Sequence, residues 1–574
     1  MDYRQKYKNW LTSSHIDEGT KQELLNLEGN DKEIEDRFYK NLEFGTGGLR
    51  GVIGAGSNRM NQYTVAIVTQ GLANYICKAG EKAKEKGAAI AYDSRRKSAE
   101  FALKAALVLC ANGIKVYLYS ELQPTPVLSF TVRELGTTAG IVVTASHNPP
   151  EYNGYKVYWS DGGQLSPERA DAVIAEIAES GGFDGLRTMT EQEALDQNLL
   201  HYIGEEVLSK YIEKVKSLCI DKALAAKEGK ELKVIYTPIH GSGNKPVRRV
   251  LKELGFEDVQ VVPEQELPDP GFPTVEYPNP EDKAAFTLAI KQAQENGADL
   301  IIGTDPDCDR VGVVVKNKAG EYIILSGNET GALLVHYMLS ALKTQNSLPK
   351  NGCIVKTIVT SELGRKIADS FDITTMDTLT GFKFIAEKIQ EFQETNSHTF
   401  LLGFEESYGY SAGDFVRDKD AVIASMLICE MAAYYSSKGM TLYEGLLAIW
   451  EEYGYFAESL KSKQMPGKEG MEKVKVLMDN LRGSQLQEVG GVKLTQIEDY
   501  QTSQRDNLET GKIEEIDLPV SNVLKYKLED ESWFAIRPSG TEPKVKLYFS
   551  VIGDTQQEAE EKNKRLMEAV SELM

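Results

Sequence analysis

The 574-residue sequence predicts an α/β protein made of three similar units and a smaller C-terminal α+β unit. Helical and strand-like patterns alternate over roughly the first 450 residues, which is typical of layered α/β domains. Three apolar runs end in polar clusters, in "AGIVVTASHNP", "ADLIIGTDPDCDR" and "HTFLLGFEESYG". Such runs predict strands buried on both faces of a sheet. Because ligands bind beyond the carboxyl ends of these strands, we expect the three polar loops to lie at a functional edge.

Helices are predicted in the corresponding place of each unit, over residues 98–114, 282–298 and 381–394. The first two are expected to stop at Gly113 and Gly297, since glycine commonly ends helices. The run "DAVIASMLICEMAAYYSSKGM" predicts a long buried helix that closes the third unit.

The C-terminal part of the chain is more polar and predicts a different kind of unit. The segment "KSKQMPGKEGMEKVKVLMDNLRG" predicts an exposed amphipathic helix. Strand-like segments follow it, then "WFAIRPSGTEPKVKLYFSV" and a charged terminal helix. This order predicts an α+β domain with one polar loop between strands.

The net charge of −21 disfavours nucleic acid and anionic membranes as partners. An acidic protein is a poor match for nucleic acid or an anionic membrane. No run of about 18 apolar residues predicts a membrane span, and the N-terminal "MDYRQKYKNW" lacks the apolar segment of a secretory signal. The six cysteines are scattered without a CxxC pair, which disfavours zinc and disulfide frameworks and favours the cytoplasm.

The loop "TDPDCDR" places Asp305, Asp307 and Asp309 at alternate positions after an apolar run. In an extended loop these carboxylates point to one side, and an oxygen-rich cluster suits Mg²⁺ or Mn²⁺. The EF-hand pattern is absent. Arg310 would lie beside the cation, where a guanidinium can hold a phosphate. The alternative is a solvated acidic turn, which we consider less consistent with the preceding apolar strand.

Two further loops carry side chains that suit a phosphate and a sugar. "RPSGTEPK", residues 537–544, combines a guanidinium, hydroxyls and an accessible backbone, which suits a phosphate dianion, and it lacks Walker A spacing. Its alternative is a plain turn between strands. "GFEESYG" offers Glu405 and Ser407 to sugar hydroxyls. Its alternatives are a glycoside hydrolase pair or a charged surface turn, and the surface turn is favoured when this loop is taken alone.

Weaker candidates are cations in three other loops. "FGTGGLRG" carries Arg50, "DTLTGFKF" carries Lys383, and "RDKD" carries Arg417 and Lys419. A cation near a glycine-rich loop can hold a phosphate, although most such charges are simply solvated.

"TASHNPPEYNGYK" places Ser146 beside His147. A Ser–His hydrolase is disfavoured, because neighbours in an extended loop point apart and no GxSxG elbow is present. His147 is expected instead to orient the loop or to bond a substrate oxygen.

A serine, a cation site, a phosphate clamp and a hydroxyl-binding loop together predict phosphoryl transfer to or from a phosphosugar. The motifs "TASHNP", "DPDCDR", "GFEES" and "RPSGTEPK", in this order, resemble those of the α-D-phosphohexomutase family, in its phosphoglucomutase branch. The resemblance runs from "DRFYKNLEFGTGGLRG" to "FAIRPSGTEPKVKLYF", nearly the whole chain.

The resemblance implies a four-domain architecture, with expected boundaries at 1–207, 208–324, 325–455 and 456–574. It implies that Ser146 is a phosphoserine and Lys156 a general base, with catalytic roles also for His147 and Arg50. It implies one Mg²⁺ held by Ser146, Asp305, Asp307 and Asp309. It implies substrate binding by Glu405, Ser407, Lys383, Arg417, Lys419, Arg310, Arg537, Ser539, Gly540 and Thr541.

The implied reaction interconverts glucose 1-phosphate and glucose 6-phosphate through bound glucose 1,6-bisphosphate, in a cytoplasmic monomer or weak dimer. The partner is a small phosphosugar. The Arg and Lys residues of the site would form a positive focus in an acidic protein, and this focus would lower the pKa of Lys156.

Substrate choice depends on "TGFK", which stands where mannose-accepting relatives usually have a Gly-His pair and so favours glucose over mannose. The alternatives are a phosphopentomutase, a phosphomannomutase, a metal-dependent phosphatase, and a catalytically silent relative that acts as an interaction protein. Pro306 and Cys308 depart from the small residues common in the metal loop, but their side chains offer no ligand oxygen.

Overall fold

The computed structural model describes residues 2–45, 48–465, 469–484, 486–539 and 544–574. Within these ranges the strands form four sheets, and each sheet falls within one of the expected domains to within a single residue. The second sheet ends at Leu325 and the fourth begins at Tyr455. The precise domain boundaries stay predictions.

The first domain has a mixed six-stranded sheet in the order β1-β5-β4-β2-β3-β6. β4, β2, β3 and β6 are parallel, while β5 runs antiparallel to β4 and β1. Three helices precede this sheet and bury an aromatic cluster around Trp10 and Phe38. The elements are α1 (Tyr3–Thr12), α2 (Glu18–Leu25), α3 (Asp31–Phe38), β1 (Leu49–Val52), α4 (Gln62–Lys78), α5 (Glu81–Lys86), β2 (Ala88–Tyr92), α6 (Ser98–Ala111), β3 (Val116–Tyr119), α7 (Thr125–Leu135), β4 (Ala139–Val143), β5 (Tyr152–Trp159), α8 (Pro167–Glu179), α9 (Glu191–Asp196) and β6 (Leu200–Ile203).

The second domain has a five-stranded sheet in the order β11-β10-β9-β7-β8, again parallel at its centre. The elements are α10 (Glu205–Ser217), α11 (Lys222–Glu228), β7 (Val234–Thr237), α12 (Asn244–Glu253), β8 (Val259–Val261), α13 (Pro263–Glu266), a 3₁₀ turn (Lys283–Phe286), α14 (Thr287–Asn296), β9 (Leu300–Thr304), β10 (Val311–Lys316) and β11 (Tyr322–Leu325).

The third domain has a four-stranded sheet in the order β13-β12-β14-β15. The elements are α15 (Gly327–Thr344), β12 (Gly352–Thr357), α16 (Leu363–Ser370), β13 (Thr374–Thr378), α17 (Phe382–Thr395), β14 (Thr399–Glu405), β15 (Gly409–Ala412), α18 (Ala421–Ser437) and α19 (Leu442–Tyr453).

The fourth domain has an antiparallel sheet of eight strands with two helices. The elements are β16 (Tyr455–Gln464), α20 (Gly470–Gly483), β17 (Glu488–Val489), β18 (Val492–Asp499), β19 (Gln504–Asn507), β20 (Ile513–Glu515), β21 (Leu524–Leu528), β22 (Trp533–Pro538), β23 (Lys544–Gly553) and α21 (Gln556–Glu572).

The apolar runs form the central strands β4, β9 and β14, and nearly all of their residues are buried, which confirms the prediction. The predicted helices appear as α6, α14, α17 and the buried α18. α14 ends at Gly297, which has the left-handed backbone of a helix C-cap. A 3₁₀ turn replaces the first part of the helix predicted over 282–298.

One helix prediction is wrong in its first half. Residues 461–464 of "KSKQMPGKEGMEKVKVLMDNLRG" extend strand β16, and the helix begins only at Gly470. β16 pairs with β23 along its full length, from Tyr455 opposite Gly553 to Gln464 opposite Lys544. The long partner strand therefore overrides the helical preference of these polar residues.

Loops from different domains meet at the ends of the central strands. The hydroxyl of Thr125 donates to Asp307 Oδ2 at 2.9 Å, which joins the first domain to the second. The N–H of Val311 donates to the carbonyl oxygen of Tyr408 at 3.1 Å, which joins the second domain to the third. None of the helices in the described ranges has the length and apolar character needed to cross a bilayer.

Candidate active site

Residues 144–151, the serine loop, follow β4 and bring Ser146 against the second domain. Its Oγ donates to Asp305 Oδ2 at 2.7 Å and lies 3.1 Å from His147 Nδ1. The prediction that these neighbours point apart is therefore wrong. The loop is not extended at this point, because Ser146 has a φ of 51° in the left-handed region.

His147 lines the same cavity as Ser146. Burial, and the positive charges of Arg310 and Arg50, lower its pKa well below the usual value. The ring is therefore held neutral, which suits a hydrogen-bonding role toward the loop or a substrate oxygen better than a charged one.

The three aspartates of the second domain form a buried cluster. Asp305, Asp307 and Asp309 are almost completely buried, and one oxygen of each lies within 4.8 Å of those of the others. Oδ1 of Asp307 and Oδ1 of Asp309 are buried without a hydrogen-bond donor among the described residues. A solvated acidic turn would be exposed. Buried, convergent carboxylate oxygens that lack donors fit a hard divalent cation.

The side chain of Lys156, on β5 of the first domain, contacts this cluster. Its Nζ donates to Asp307 Oδ2 at 2.8 Å and lies 3.2 Å from Asp309 Oδ2. Burial alone would lower the pKa of Lys156, but the two carboxylates outweigh burial and the pKa is raised. The expected lowering is therefore not observed, because the nearest charges to Nζ are negative rather than the arginines of the positive focus.

A cavity of about 630 Å³ lies over the serine loop and is lined by side chains from all four domains. Most of the predicted site residues line it. They are Arg50, Ser146, His147, Lys156, Asp309, Arg310, Lys383, Glu405, Ser407, Lys419 and Arg537. Asp305 and Asp307 are joined to this wall through their contacts with Ser146 and Lys156.

The glycine-rich loop lies against β5 and aims Arg50 at the serine loop. Gly48 has a φ of 90°, and a Cβ at this position would lie 2.1 Å from the carbonyl oxygen of Tyr155. Only glycine permits this approach. The strand that follows carries Arg50, whose Nη1 donates to Asn148 Oδ1 at 2.9 Å.

The predicted sugar loop is buried rather than solvated. Glu405 is 4% exposed, and its Oε1 accepts the N–H of Gly381 at 2.8 Å. Burial raises the pKa of Glu405 to about 7 even though the Lys419 ammonium opposes the shift. Lys419 also lies 3.4 Å from Asp309 Oδ2, so the sugar loop and the aspartate cluster share a cation.

Arg417, which the sequence predicted as a substrate-binding residue, is not among the described residues that line the cavity. Its buried guanidinium donates to Gln393 Oε1 at 2.5 Å, to Gln390 Oε1 at 3.3 Å and to the carbonyl oxygen of Asp414. The guanidinium therefore ties its own loop to helix α17. In the loop predicted to bind phosphate, the N–H of Ser539 donates to the carbonyl oxygen of Lys544 at 2.8 Å. The predicted Gly540 and Thr541 lie outside the described residues.

Several lining residues were missed by reasoning from the sequence. Lys546 faces Arg537 in the register of β23 with β22, and both line the cavity. The alternation of "KVKLYF" could have revealed it, since residues two apart on a strand share a face. Glu281 forms an ion pair with Arg310, and Glu281, Glu458 and Trp533 also line the cavity. Their sequence contexts hold no comparable signal.

Family models match the chain in four consecutive segments. The models of phosphoglucomutase/phosphomannomutase α/β/α domains I, II and III match residues 41–184, 209–320 and 326–453, and the C-terminal domain model matches 474–569.

Curated relatives align along almost the whole chain. A phosphoglucomutase of Staphylococcus haemolyticus (strain JCSC1435) is 40% identical over 520 residues, which are 91% of this chain and 92% of the relative. A phosphoglucomutase of Staphylococcus aureus (strain MRSA252) is 38% identical over 524 residues, with the same coverage of 91% and 92%.

Solved structures share the fold. The open form of pp63/parafusin, a phosphoglucomutase from Paramecium, superposes with a TM-score of 0.69 at 16% identity, covering 93% of this chain and 95% of that one. A phosphoglucomutase/phosphomannomutase family protein from Burkholderia thailandensis gives 0.66 at 19% identity, covering 92% and 96%. The resemblance seen in the motifs is confirmed, and the chain belongs to the phosphoglucomutase/phosphomannomutase family.

Proposed function

We propose that this protein is a phosphoglucomutase that interconverts α-D-glucose 1-phosphate and glucose 6-phosphate, with Ser146 as the phosphoryl carrier. The observation that carries the proposal is the position of Ser146 Oγ, 2.7 Å from a buried aspartate and at the wall of a cavity that Arg537 and Lys546 also line. A carrier oxygen beside a cation site and a cationic wall for a second phosphate are what phosphoryl exchange on one sugar requires. Relatives named phosphoglucomutase, at 38–40% identity, support the choice of substrate.

The proposed first step transfers the phosphoryl group of phosphoserine 146 to a free hydroxyl of the sugar phosphate. The bond from phosphorus to Ser146 Oγ breaks as a bond to the sugar oxygen forms. The hydroxyl proton passes to Lys156 Nζ and is then passed on to the departing Ser146 Oγ, which restores the serine hydroxyl and the free amine. The glucose 1,6-bisphosphate then reorients in the cavity, and its other phosphoryl group is transferred to Ser146. A base role for Lys156 requires that the charge of the two nearby carboxylates be neutralised, since their charge raises its pKa.

The residues of the aspartate cluster fit one Mg²⁺, which Asp305, Asp307, Asp309 and Ser146 would hold. The cation would supply charge neutralisation at the transferring phosphoryl group. We propose that Glu405 and Ser407 bind ring hydroxyls, and that Arg537 with Ser539, Gly540 and Thr541 holds the phosphate that is not transferred. Arg50, Arg310, Lys383 and Lys419 add positive charge at the cavity wall.

Substrate choice is tested by comparing kcat/KM for glucose 1-phosphate, mannose 1-phosphate and ribose 1-phosphate on one preparation. Each assay contains a bisphosphate primer and is run with Mg²⁺ and after chelation by EDTA. We expect glucose 1-phosphate to be preferred and turnover to be lost on chelation. A clear preference for ribose 1-phosphate would instead identify a phosphopentomutase. Release of inorganic phosphate faster than isomerisation would identify a phosphatase. No turnover of any substrate would identify a catalytically silent relative.

Replacing Ser146 by alanine tests the phosphoryl carrier. The variant Ser146→Ala should lose at least about 10³-fold in kcat, since it has no oxygen to carry the phosphoryl group. Intact mass after incubation with glucose 1,6-bisphosphate should show one added phosphoryl group in the wild type and none in the variant. Ser94→Ala is the control, because the Ser94 hydroxyl is buried without a hydrogen-bond partner among the described residues. A phosphorylated and active Ser146→Ala enzyme would exclude the mechanism.

A further inference from the structure

Arg95 lies beneath the serine loop and is almost completely buried. It follows β2 and does not line the cavity in the described part of the chain. Its guanidinium donates hydrogen bonds to carbonyl oxygens of the serine loop and of the start of β5. Nη2 donates to the carbonyl oxygens of Ser146, at 2.5 Å, and Asn148, and Nη1 to those of Pro149, at 2.8 Å, and Tyr152, at 3.2 Å.

The same side chain forms a buried ion pair with Asp93. Nε of Arg95 lies 3.4 Å from Asp93 Oδ2, which also accepts the Thr144 hydroxyl at 2.7 Å. The Thr144 hydroxyl in turn accepts the N–H of Ser146 at 2.8 Å. The peptide units on both sides of Ser146 are therefore tied to one buried network, through the N–H by Thr144 and through the carbonyl by Arg95.

This network stabilises an unfavourable backbone conformation at Ser146. Ser146 has a φ of 51°, and a residue with a side chain occupies this region only at a cost, typically where surrounding contacts compensate. The left-handed turn is also what brings Ser146 Oγ to Asp305 and His147 together. Contacts that stabilise the turn therefore set the direction of the carrier oxygen.

Arg95 also contacts the second domain. The ring of Phe272 lies with its centroid 5.0 Å from Arg95 Cζ, and Phe272 is completely buried. A cation over an aromatic face is attracted to it. The residue that holds the serine loop thus also contacts the domain that supplies the aspartates.

We propose that Arg95 is a positioning residue for phosphoryl transfer, which fixes the left-handed turn at Ser146 and so aims Oγ at the transferring phosphoryl group. The proposal rests on the proposed function of Ser146. Arg95 acts through the backbone of the loop and touches no substrate. A planar fork with several donors is required, because a single ammonium cannot satisfy four carbonyl oxygens in this arrangement.

The test compares Arg95→Lys with Arg96→Lys. Arg96 is the adjacent residue of the same loop, but it is exposed, so its replacement controls for the loss of a guanidinium. With glucose 1-phosphate and Mg²⁺, we expect Arg95→Lys to lower kcat about 10²-fold with KM within about threefold of wild type, since a misplaced reacting atom costs rate more than binding. Arg96→Lys should match wild type in both.

Hydrogen exchange gives a second measurement that needs no substrate. Peptides covering residues 146–152 should exchange faster in Arg95→Lys than in wild type or Arg96→Lys, because the N–H groups of Asn148 and Tyr152 are bonded within this loop. The proposal requires both the selective loss of kcat and the faster exchange. The proposal would be overturned if either the exchange rate or the kcat of Arg95→Lys equalled that of Arg96→Lys.

If Arg95→Lys does not fold, the double variant Asp93→Asn/Arg95→Met replaces it, because removing both charges leaves no unpaired buried ion. The same two results are then required. A wild-type enzyme that is inactive on glucose 1-phosphate would refute the proposed function, whereas hydrogen exchange would still decide whether Arg95 holds the loop.

Discussion

Lys546 and Arg537 lie opposite each other on β23 and β22, at the wall of the cavity. Burial lowers the pKa of Lys546, and the neighbouring charge of Arg537 lowers it further. Two cations side by side repel each other unless an anion lies between them. This pair is therefore suited to a dianionic phosphate, which would relieve the repulsion and raise the pKa of Lys546 on binding.

Replacing Lys546 by methionine should raise KM for glucose 1-phosphate about 10–100-fold with a smaller effect on kcat, since a charge-assisted hydrogen bond contributes about 1.5–3 kcal/mol. Steady-state kinetics with Mg²⁺ checks this. Lys461→Met is the control, because Lys461 is an exposed lysine on the adjacent strand β16. Equal KM values for the two variants would show that Lys546 does not bind the phosphate.

At the scale of single elements, α18 begins inside the protein. Asp420 caps it by accepting the N–H groups of Val422, at 2.9 Å, and Ile423, at 2.8 Å, and its carboxylate also accepts the hydroxyl of Tyr211. Burial of the carboxylate raises the pKa of Asp420 from 3.8 to about 7, against these hydrogen bonds. The Asp420 carboxylate therefore has its hydrogen-bond partners, but burial makes its ionised form costly.

The raised pKa gives a stability effect of definite sign. The folded state holds the Asp420 proton more tightly than the unfolded state does. The contribution of protonated Asp420 to the free energy of unfolding is therefore fully present below pH 3.8 and is lost as pH rises through about 7. Asp420→Asn cannot ionise and should gain stability relative to wild type between pH 5 and pH 8, by about 2–4 kcal/mol at most. The difference in Tm between variant and wild type, measured at both pH values, checks this.

Asp17→Asn is the control for this measurement. Asp17 caps α2, and the hydroxyl of Tyr63 lowers its pKa to about 2. Its stabilising contribution is present above pH 3.8 and is lost only as pH falls toward 2. The Tm difference between Asp17→Asn and wild type should therefore stay constant from pH 5 to pH 8. A difference for Asp420→Asn that is equally constant would contradict the expected burial cost.

At the scale of the whole molecule, a buried lysine joins the third and fourth domains. Lys525, on β21, donates from Nζ to the carbonyl oxygen of Ile358 at 2.7 Å and lies 3.4 Å from Glu362 Oε1. The same ammonium lies 4.2 Å from the centroid of the Trp533 ring, which lines the cavity. The orientation of the domain that carries Arg537 is thus linked to the domain that carries the sugar loop.

Replacing Lys525 by methionine should loosen this connection, because the carbonyl oxygen of Ile358 and the Glu362 carboxylate lose a buried donor. We expect a larger radius of gyration in small-angle X-ray scattering and a KM raised about 5–20-fold, since the distal phosphate contacts become less well positioned. Lys527→Met, two residues along the same strand at a partly exposed side chain, is the control. A radius and KM equal to those of Lys527→Met would refute the link.

The parts of the site that sequence reasoning identified are those with a local pattern. Asp305, Asp307 and Asp309 stand out because they follow a buried strand at alternate positions, and they do form a convergent cluster. Arg417 stood in an equally charged loop, but its guanidinium is used by carbonyl and glutamine partners of its own domain. The sequence of a loop does not show whether its arginine will donate to groups of its own domain or face a cavity.

The sequence alone determined the α/β class, the central strands and the order of the four motif loops, because each depends on residues close together in the chain. Only the tertiary structure decided how those residues act on one another. It paired Lys156 with two aspartates and raised its pKa, turned Ser146 toward His147 through a left-handed backbone, and placed Lys546 opposite Arg537. These outcomes depend on charges and hydrogen bonds between distant segments, and the direction of a pKa shift or a side chain follows from the nearest neighbours in space.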